Sequence, residues 1–183
     1  YHFSFIKNIT ENKIEFGLGH FNYAFSHVSS LFYFNSLFKT YFTGHYFYQI
    51  GQLSVMILVN TILFENIFNR SKNSKLNLVF FVSLFCIFFI NIFFYRLAEH
   101  GTDRSAQILF FLCIIIVIDI LQLKNILNKS IEVLLILFTL IITIKSFYIL
   151  YSLVLFFVYF KFYKLKDFPE IFRKFSIVYT CML

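Results

Sequence analysis

Long apolar runs alternate with short polar segments along most of the chain, and this pattern predicts membrane-spanning helices. A helix that crosses a bilayer needs roughly 20 mostly apolar residues. Three runs approach or exceed this length, over residues 46–68, 76–97 and 106–123. We therefore expect an all-α fold, with residues 1–183 forming one transmembrane domain of a polytopic α-helical integral membrane protein.

The apolar segment from residue 131 to residue 160 is interrupted by Lys145 and Ser146. As one helix it would be about 45 Å long, whereas the hydrocarbon core of a bilayer is about 30 Å thick. As two short helices, 131–144 and 147–160, it would form a tight hairpin that turns at Lys145.

The distribution of basic residues favours the hairpin. Short basic loops lie on the cytoplasmic side of membrane proteins, which places both residues 70–75 and the basic loop 161–174 in the cytoplasm. An even number of crossings must then separate residues 131 and 160, and the hairpin provides it. Lys145 lies at the outer face in this arrangement, and an ionisable residue at that depth is a candidate for function.

The first 44 residues follow the pattern less regularly. Phe5, Ile6 and Ile9 fall on one side of a short amphipathic helix, which is typical of a segment that lies on the membrane interface. Residues 20–38 are apolar but contain several Asn, Ser and His residues, so the sequence leaves open whether they span. We expect residues 1–44 to form an interfacial or re-entrant segment at the outer face.

Composition supports a lipid environment. The chain is 60% hydrophobic and 14% charged and contains 30 Phe residues, whereas soluble domains are about 45–50% apolar and about 25% charged. The net charge of +7 comes from basic residues in short loops between apolar runs, which argues against a nucleic-acid partner. Because the chain starts at Tyr1 and stops at Leu183 where a new apolar run begins, we expect a fragment of a longer protein.

The most polar stretch lies between the second and third long runs. It places five ionisable residues within nine positions, namely Arg96, Glu99, His100, Asp103 and Arg104. One interpretation is a hairpin loop with a surface ion pair, in which Thr102, Asp103 or Ser105 caps the next helix. The other is a polar pocket at the membrane edge, where arginines bind a phosphate and the remaining groups orient a substrate.

Several short motifs resemble those of a family of uncharacterised bacterial multi-pass membrane proteins. The motifs are Tyr1-His2, Phe16-Gly17-Leu18, Ser29-Ser30-Leu31-Phe32, Glu99-His100-Gly101-Thr102-Asp103 and Ile144-Lys145-Ser146. The layout is similar to that of the GT-C class of polyprenyl-phosphate-sugar-dependent glycosyltransferases. The family's acidic residue would lie upstream of Tyr1. Where the family has Asn, His and Arg after Gly17-Leu18, this chain has His20, Asn22 and Ala24.

The resemblance implies sugar transfer from a lipid phosphate carrier at the outer face of the bacterial inner membrane, in the synthesis of cell-surface polysaccharide. A carboxylate would act as general base, and cations would stabilise charge on the departing lipid phosphate. The catalytic candidates are His2, Glu99, His100 and Asp103, and the candidates for binding the lipid phosphate are Arg96, Arg104 and Lys145. The expected partners are the lipid bilayer and a polyprenyl-phosphate-linked sugar, with no cofactor and no metal.

Two other functions remain open at this point. A transporter or flippase for lipid-linked sugars or small solutes would carry out no catalysis, and transporters place polar residues or helix breaks near the bilayer midplane. A subunit of an organellar respiratory complex would share the Phe-rich composition. The polar residues gather at one membrane edge and no haem-type His pair is present, which favours surface chemistry. Whether the chain is an enzyme is left open.

Overall fold

A computed structural model describes residues 2–11, 29–39, 48–72, 77–94, 97–123, 128–154 and 173. No strand occurs among these residues, so the predicted all-α class is confirmed for them. Their regular structure consists of α1 (His2–Glu11), α2 (Ser30–Ser36), α3 (Ile50–Lys72), α4 (Leu78–Phe93), α5 (Leu97–Leu123), α6 (Asn128–Ile144) and a 3₁₀ helix (Ser146–Tyr151).

The core forms around α5, which packs on α3, α4 and α6. Its side chains Ile108, Leu109, Leu112 and Ile115 are buried in one apolar cluster with residues of those three helices. Burial of a large aliphatic side chain stabilises a fold by about 1.5–3 kcal/mol. This cluster is therefore the main source of cohesion in the described bundle.

Three contacts between side chains show the directions of the helices. Arg70 near the end of α3 pairs with Asp119 near the end of α5, so these two helices are parallel. The ring of Phe94, directly after α4, lies 4.6 Å from the guanidinium carbon of Arg104 near the start of α5. Lys145, directly after α6, pairs with Asp103. Helices α4 and α6 therefore run antiparallel to α5.

The start of α3 is held by α2 through a close contact at Gly51. The Gly51 N–H donates to Oδ1 of Asn35 at 2.8 Å, which satisfies one of the donors that a helix N-terminus leaves open. The amide of Asn35 in turn donates to Oε1 of Gln52 at 2.9 Å, and both side chains are buried. A Cβ at position 51 would lie 2.6 Å from Oδ1 of Asn35 and 2.8 Å from a methyl of Leu31. Glycine is therefore required for this approach.

The polar stretch before residue 106 is not the predicted loop. Helix α5 begins at Leu97 rather than at residue 106, and α4 ends at Phe93 rather than at residue 97. Thr102, Ser105 and Ala106 are buried against the bundle, and this packing outweighs the roughly 1 kcal/mol that Gly101 costs in a helix interior. The expected capping roles of Thr102, Asp103 and Ser105 are wrong, because all three lie inside the helix.

The boundaries of α3 also differ from those expected. The helix spans Ile50–Lys72 instead of residues 46–68, so three residues of the predicted basic loop, 70–72, are helical. Arg70 and Lys72 lie in the last turn, where cations interact favourably with the helix dipole. The residues 40–47 before Tyr48 lie outside the described part of the chain.

Helix α6 ends at Ile144, and the 3₁₀ helix that follows runs back along α5. Lys145 is level with Asp103, whereas the rings of Tyr148 and Tyr151 lie 5.6 Å and 4.7 Å from that of Phe110, about two turns further along α5. The chain therefore reverses direction at Lys145. The expected helix 147–160 is described only to residue 154, and the basic loop 161–174 lies outside the described residues except for Arg173.

Much of the bundle's perimeter is apolar. Phe81, Phe85 and Phe88 of α4 and Phe64 and Phe68 of α3 are all exposed. By length and composition, the helices Ile50–Lys72 and Thr102–Gln122 are long and apolar enough to cross a membrane, and Leu78–Phe93 and Ser130–Ile144 are shorter apolar helices.

The contact at Gly51 leads to a prediction about stability. Alanine would normally favour a helix relative to glycine, but in Gly51→Ala the added methyl forces Asn35 away and breaks its bond to the Gly51 N–H. Overpacking of this kind costs about 1–3 kcal/mol, so the melting temperature should fall by about 2–12 °C, measured by circular dichroism. The control Ser54→Ala, at an exposed position on the same helix, should change it little, and equal melting temperatures for the two variants would contradict the proposed contact.

Candidate functional site

Polar side chains gather at one end of the bundle, which we call the polar end. It is formed by α2, the starts of α3 and α5, and the residues that follow α4 and α6. Its buried polar residues are Ser29, Asn35, Gln52, Thr102 and Ser105. Two other buried polar residues, Ser83 and Thr139, lie further along α4 and α6.

An ion pair joins two of the candidates at the polar end. Nζ of Lys145 lies 2.6 Å from Oδ1 of Asp103, and the side chains are 33% and 65% exposed. Lys145 occupies the single extended residue between α6 and the 3₁₀ helix, so the break in α6 is what directs this cation towards α5. The structure thus brings together one predicted catalytic carboxylate and one predicted phosphate-binding cation.

Arg104, in the same turn of α5, is directed towards the end of α4. Its guanidinium carbon lies 4.6 Å above the centre of the Phe94 ring, a cation–π contact that orients the side chain. Phe94 itself is fully buried and stacks on Phe111 of α5. Among the side chains that the structure describes, no carboxylate pairs with Arg104, and a guanidinium offers five N–H donors.

For the remaining candidate residues, the structure describes at most the backbone. Glu99 and His100 lie in α5, one turn before Asp103 and Arg104, and the description of α5 at these two positions covers the backbone alone. His2 begins α1, again as backbone alone. Arg96 lies outside the described residues. The structure therefore joins Asp103 to Lys145, sets Arg104 against Phe94 in the same turn of α5, and places the backbone of Glu99 and His100 on the same helix end.

Helices α1 and α2 are connected to the polar end by hydrogen bonds. Ser30 of α2 donates to Oγ1 of Thr143 near the end of α6 at 3.2 Å. Oγ1 of Thr10 in α1 and the Tyr48 hydroxyl lie 2.8 Å apart. Lys39 lies 3.4 Å from a carboxylate oxygen of Glu11. These contacts hold the N-terminal helices against the same end of the bundle as Asp103 and Lys145.

The opposite end of the bundle contains a separate ion pair. A guanidinium nitrogen of Arg70 lies 2.5 Å from a carboxylate oxygen of Asp119, and both side chains are partly buried. This pair lies about 24 Å from Asp103 along α5, at a rise of 1.5 Å per residue. It ties the ends of α3 and α5 together and does not belong to the candidate site.

Sequence reasoning missed two parts of the polar end. The contact between Asn35 and Gln52 joins residues 17 positions apart, and no local sequence pattern predicts it. Phe94 belongs to the second apolar run, and nothing in the sequence distinguishes it from the other Phe residues of that run as the ring under Arg104. Both contacts depend on how the helices pack. The one local signal is Gly51 before Gln52, because glycine allows another helix to approach the backbone closely.

The described charged side chains at the start of α5 and after α6 are two cations and one carboxylate. Arg104 and Lys145 supply positive charge, and Asp103 can accept a proton or a hydrogen bond. No group of three or more His, Cys, Asp or Glu residues that could hold a metal ion occurs in the part of the chain that the structure describes.

Comparison with known proteins identifies one family. A family model described as a domain of unknown function (DUF8201) matches residues 1–183. No curated protein and no solved structure matches the chain.

The ion pair at the polar end can be tested by a double-mutant cycle. Asp103→Asn and Lys145→Gln each remove one charge, and the coupling energy should be about 0.2–1 kcal/mol because the pair is partly exposed. Unfolding of the purified protein by denaturant measures it. The same cycle between Asp103 and Lys72, at the opposite end of the bundle, should give no coupling. Equal couplings in the two cycles would rule out a specific contact.

Proposed function

We propose that this chain, which belongs to the DUF8201 family, is part of a multi-pass protein of the bacterial inner membrane that binds a lipid-linked phosphate at its polar end. The observation that carries the proposal is the position of Arg104 and Lys145 at one end of a bundle whose perimeter is largely apolar. The reaction that fits this site is transfer of a sugar from the lipid phosphate, as in the GT-C class.

Support for the membrane location comes from the side chains on the bundle's surface. Large apolar residues are exposed along α3 and α4, including Phe64, Phe85 and Phe88 at 63%, 65% and 58%. Contiguous apolar patches beyond a few hundred Å² are rare on soluble monomers. Acyl chains remove the cost of exposing these rings to water, and the two long and two shorter apolar helices satisfy their own backbone hydrogen bonds.

Support for phosphate binding comes from the geometry of Arg104. A guanidinium offers a rigid fork of N–H donors that matches a phosphate in a bidentate arrangement. The Phe94 ring covers one face of the guanidinium, which leaves its edge to bind an anion. Lys145 adds a second positive charge at the same end, shared with Asp103.

The proposed reaction uses a carboxylate at the start of α5. Asp103, whose side chain is 65% exposed, or Glu99, one turn earlier, accepts the proton of the acceptor hydroxyl. The hydroxyl oxygen then forms a bond to the anomeric carbon of the sugar, while the bond from that carbon to the phosphate oxygen breaks. The electron pair leaves with the lipid phosphate, and Arg104 stabilises its negative charge.

Membrane location and sidedness can be measured together. The protein should stay in the pellet after alkaline carbonate extraction of membranes. In a variant that lacks the native cysteines, single cysteines at His100 and Lys145 should react in intact cells with a membrane-impermeant thiol reagent. Cysteines at Lys72 and Lys166 should not react, because we place the basic loops in the cytoplasm. Release by carbonate would refute the membrane location, and labelling at Lys166 would refute the hairpin.

Phosphate binding can be tested on the purified protein with undecaprenyl phosphate in detergent micelles. Arg104→Gln should weaken binding about 10- to 100-fold, because it removes charge-assisted hydrogen bonds worth about 1.5–3 kcal/mol. Arg104→Lys, which keeps the charge but loses the fork, should have an intermediate effect. The control Lys72→Gln, exposed at the opposite end, should bind as the unmodified protein does.

Two outcomes separate the parts of this proposal. If Arg104→Gln and Lys72→Gln weaken binding equally, the polar end is not the phosphate site. If binding behaves as expected but Asp103→Asn and Glu99→Gln leave glycan synthesis in cells unchanged, the chain binds a lipid phosphate without transferring sugar, and the transport function becomes the better account.

A further inference from the structure

Lys145 reaches Asp103 from a fixed point of the backbone. Its N–H donates to the carbonyl of Ile141 at 2.8 Å, and its carbonyl accepts from the N–H of Tyr148 at 3.1 Å. Both backbone groups of this extended residue are therefore used. The ammonium group, in contrast, is carried on a flexible four-carbon stem and has three rotatable donors. Its partner can change while the backbone stays in place.

The contact between Lys145 and Asp103 is open to exchange. Nζ lies 2.6 Å from Oδ1, but the two side chains remain 33% and 65% exposed. Ion pairs that water reaches to this extent contribute little to stability. The pair of Arg70 and Asp119 at the opposite end is less exposed, at 20% and 34%. The described bundle thus has one ion pair suited to holding helices together and one suited to opening.

The pair at the polar end also opposes the role that the proposed reaction gives to Asp103. While Lys145 is in place, a proton taken up by Asp103 would leave a neutral acid beside the ammonium group and lose the ion pair. Movement of Lys145 to another partner removes this cost. Arg104 does not oppose the carboxylate in this way, because its guanidinium is directed over the Phe94 ring.

The phosphate of a lipid carrier supplies the other partner, because its charged oxygens are strong acceptors for an ammonium group. Asp103 and Arg104 are consecutive residues of α5. A phosphate bound by Arg104 therefore lies on the turn of α5 that Lys145 already contacts.

We propose that Lys145 exchanges partners during the reaction cycle. It pairs with Asp103 in the free protein and with the phosphate once the lipid-linked donor is bound. The carboxylate is then released to accept the proton of the acceptor hydroxyl only when the donor is in place. This inference rests on the proposed phosphate site and adds a regulatory role for Lys145.

Binding of undecaprenyl phosphate in detergent micelles to the full purified chain tests the exchange. Asp103→Asn should tighten binding about 1.5- to 5-fold, because the lipid no longer has to break an ion pair of this exposure. Lys145→Gln should weaken binding, and in that background Asp103→Asn should have little effect, since no pair is left to break. An equal gain in both backgrounds would show that Asp103 acts through its charge alone. That result, or no gain in the unmodified background, overturns the exchange.

Glu99→Gln is the matched control for charge, because it removes the same charge one turn earlier on α5. Its gain in affinity should be smaller than that of Asp103→Asn, and an equal gain would contradict the exchange. Failure of the phosphate site itself gives a different result, since Arg104→Gln would then bind the lipid as well as the unmodified protein does.

A direct measurement uses the unmodified chain with isotope-labelled lysine side chains. The NMR signal of the Lys145 ammonium, identified by its loss in Lys145→Gln, should shift when undecaprenyl phosphate is added. The signal of Lys72, exposed at the opposite end, should not shift. An unchanged Lys145 signal at saturating lipid refutes the exchange.

Discussion

Helix α5 packs branched apolar side chains against three neighbouring helices, and the position of the candidate site depends on this contact. Burial of Thr102 and Ser105 at its start fixes the rotation of the first two turns. That rotation directs Asp103 towards Lys145 and Arg104 over the Phe94 ring. Without the packing on α3, α4 and α6, the same residues would form a polar stretch with no defined partners.

The two ends of the bundle use charge in different ways. At one end, Arg70 and Asp119 are partly buried and bind each other, so their charges are matched. At the polar end, Asp103 pairs with Lys145 and Glu11 with Lys39, while Arg104 lies on an aromatic ring. The described contacts therefore match charge with charge at one end, and combine ion pairs with a cation–π contact at the other.

Two pairs of amide side chains lie in different surroundings, one buried at the polar end and one on the outer surface of the bundle. The hydrogen bond between Asn35 and Gln52 is buried inside the polar end. Asn60 and Asn91, in contrast, face outward among exposed aromatic rings. The first amide pair holds α2 to α3 and so shapes the site. The second joins α3 to α4 on the outer surface, so the two pairs can be altered independently by substitution.

The sequence by itself determined the helical class, because its apolar residues come in runs too long for strands, and it pointed to Lys145 as the interruption of the segment 131–160. It also singled out Asp103, Arg104 and Lys145, since charges between apolar runs stand out. Only the tertiary structure decided that residues 97–105 are helical, because burial of Thr102 and Ser105 outweighs the local turn signal of Gly101. It alone decided the pairing of Asp103 with Lys145 and of Asn35 with Gln52. These contacts join distant positions, and side-chain packing rather than local spacing selects them.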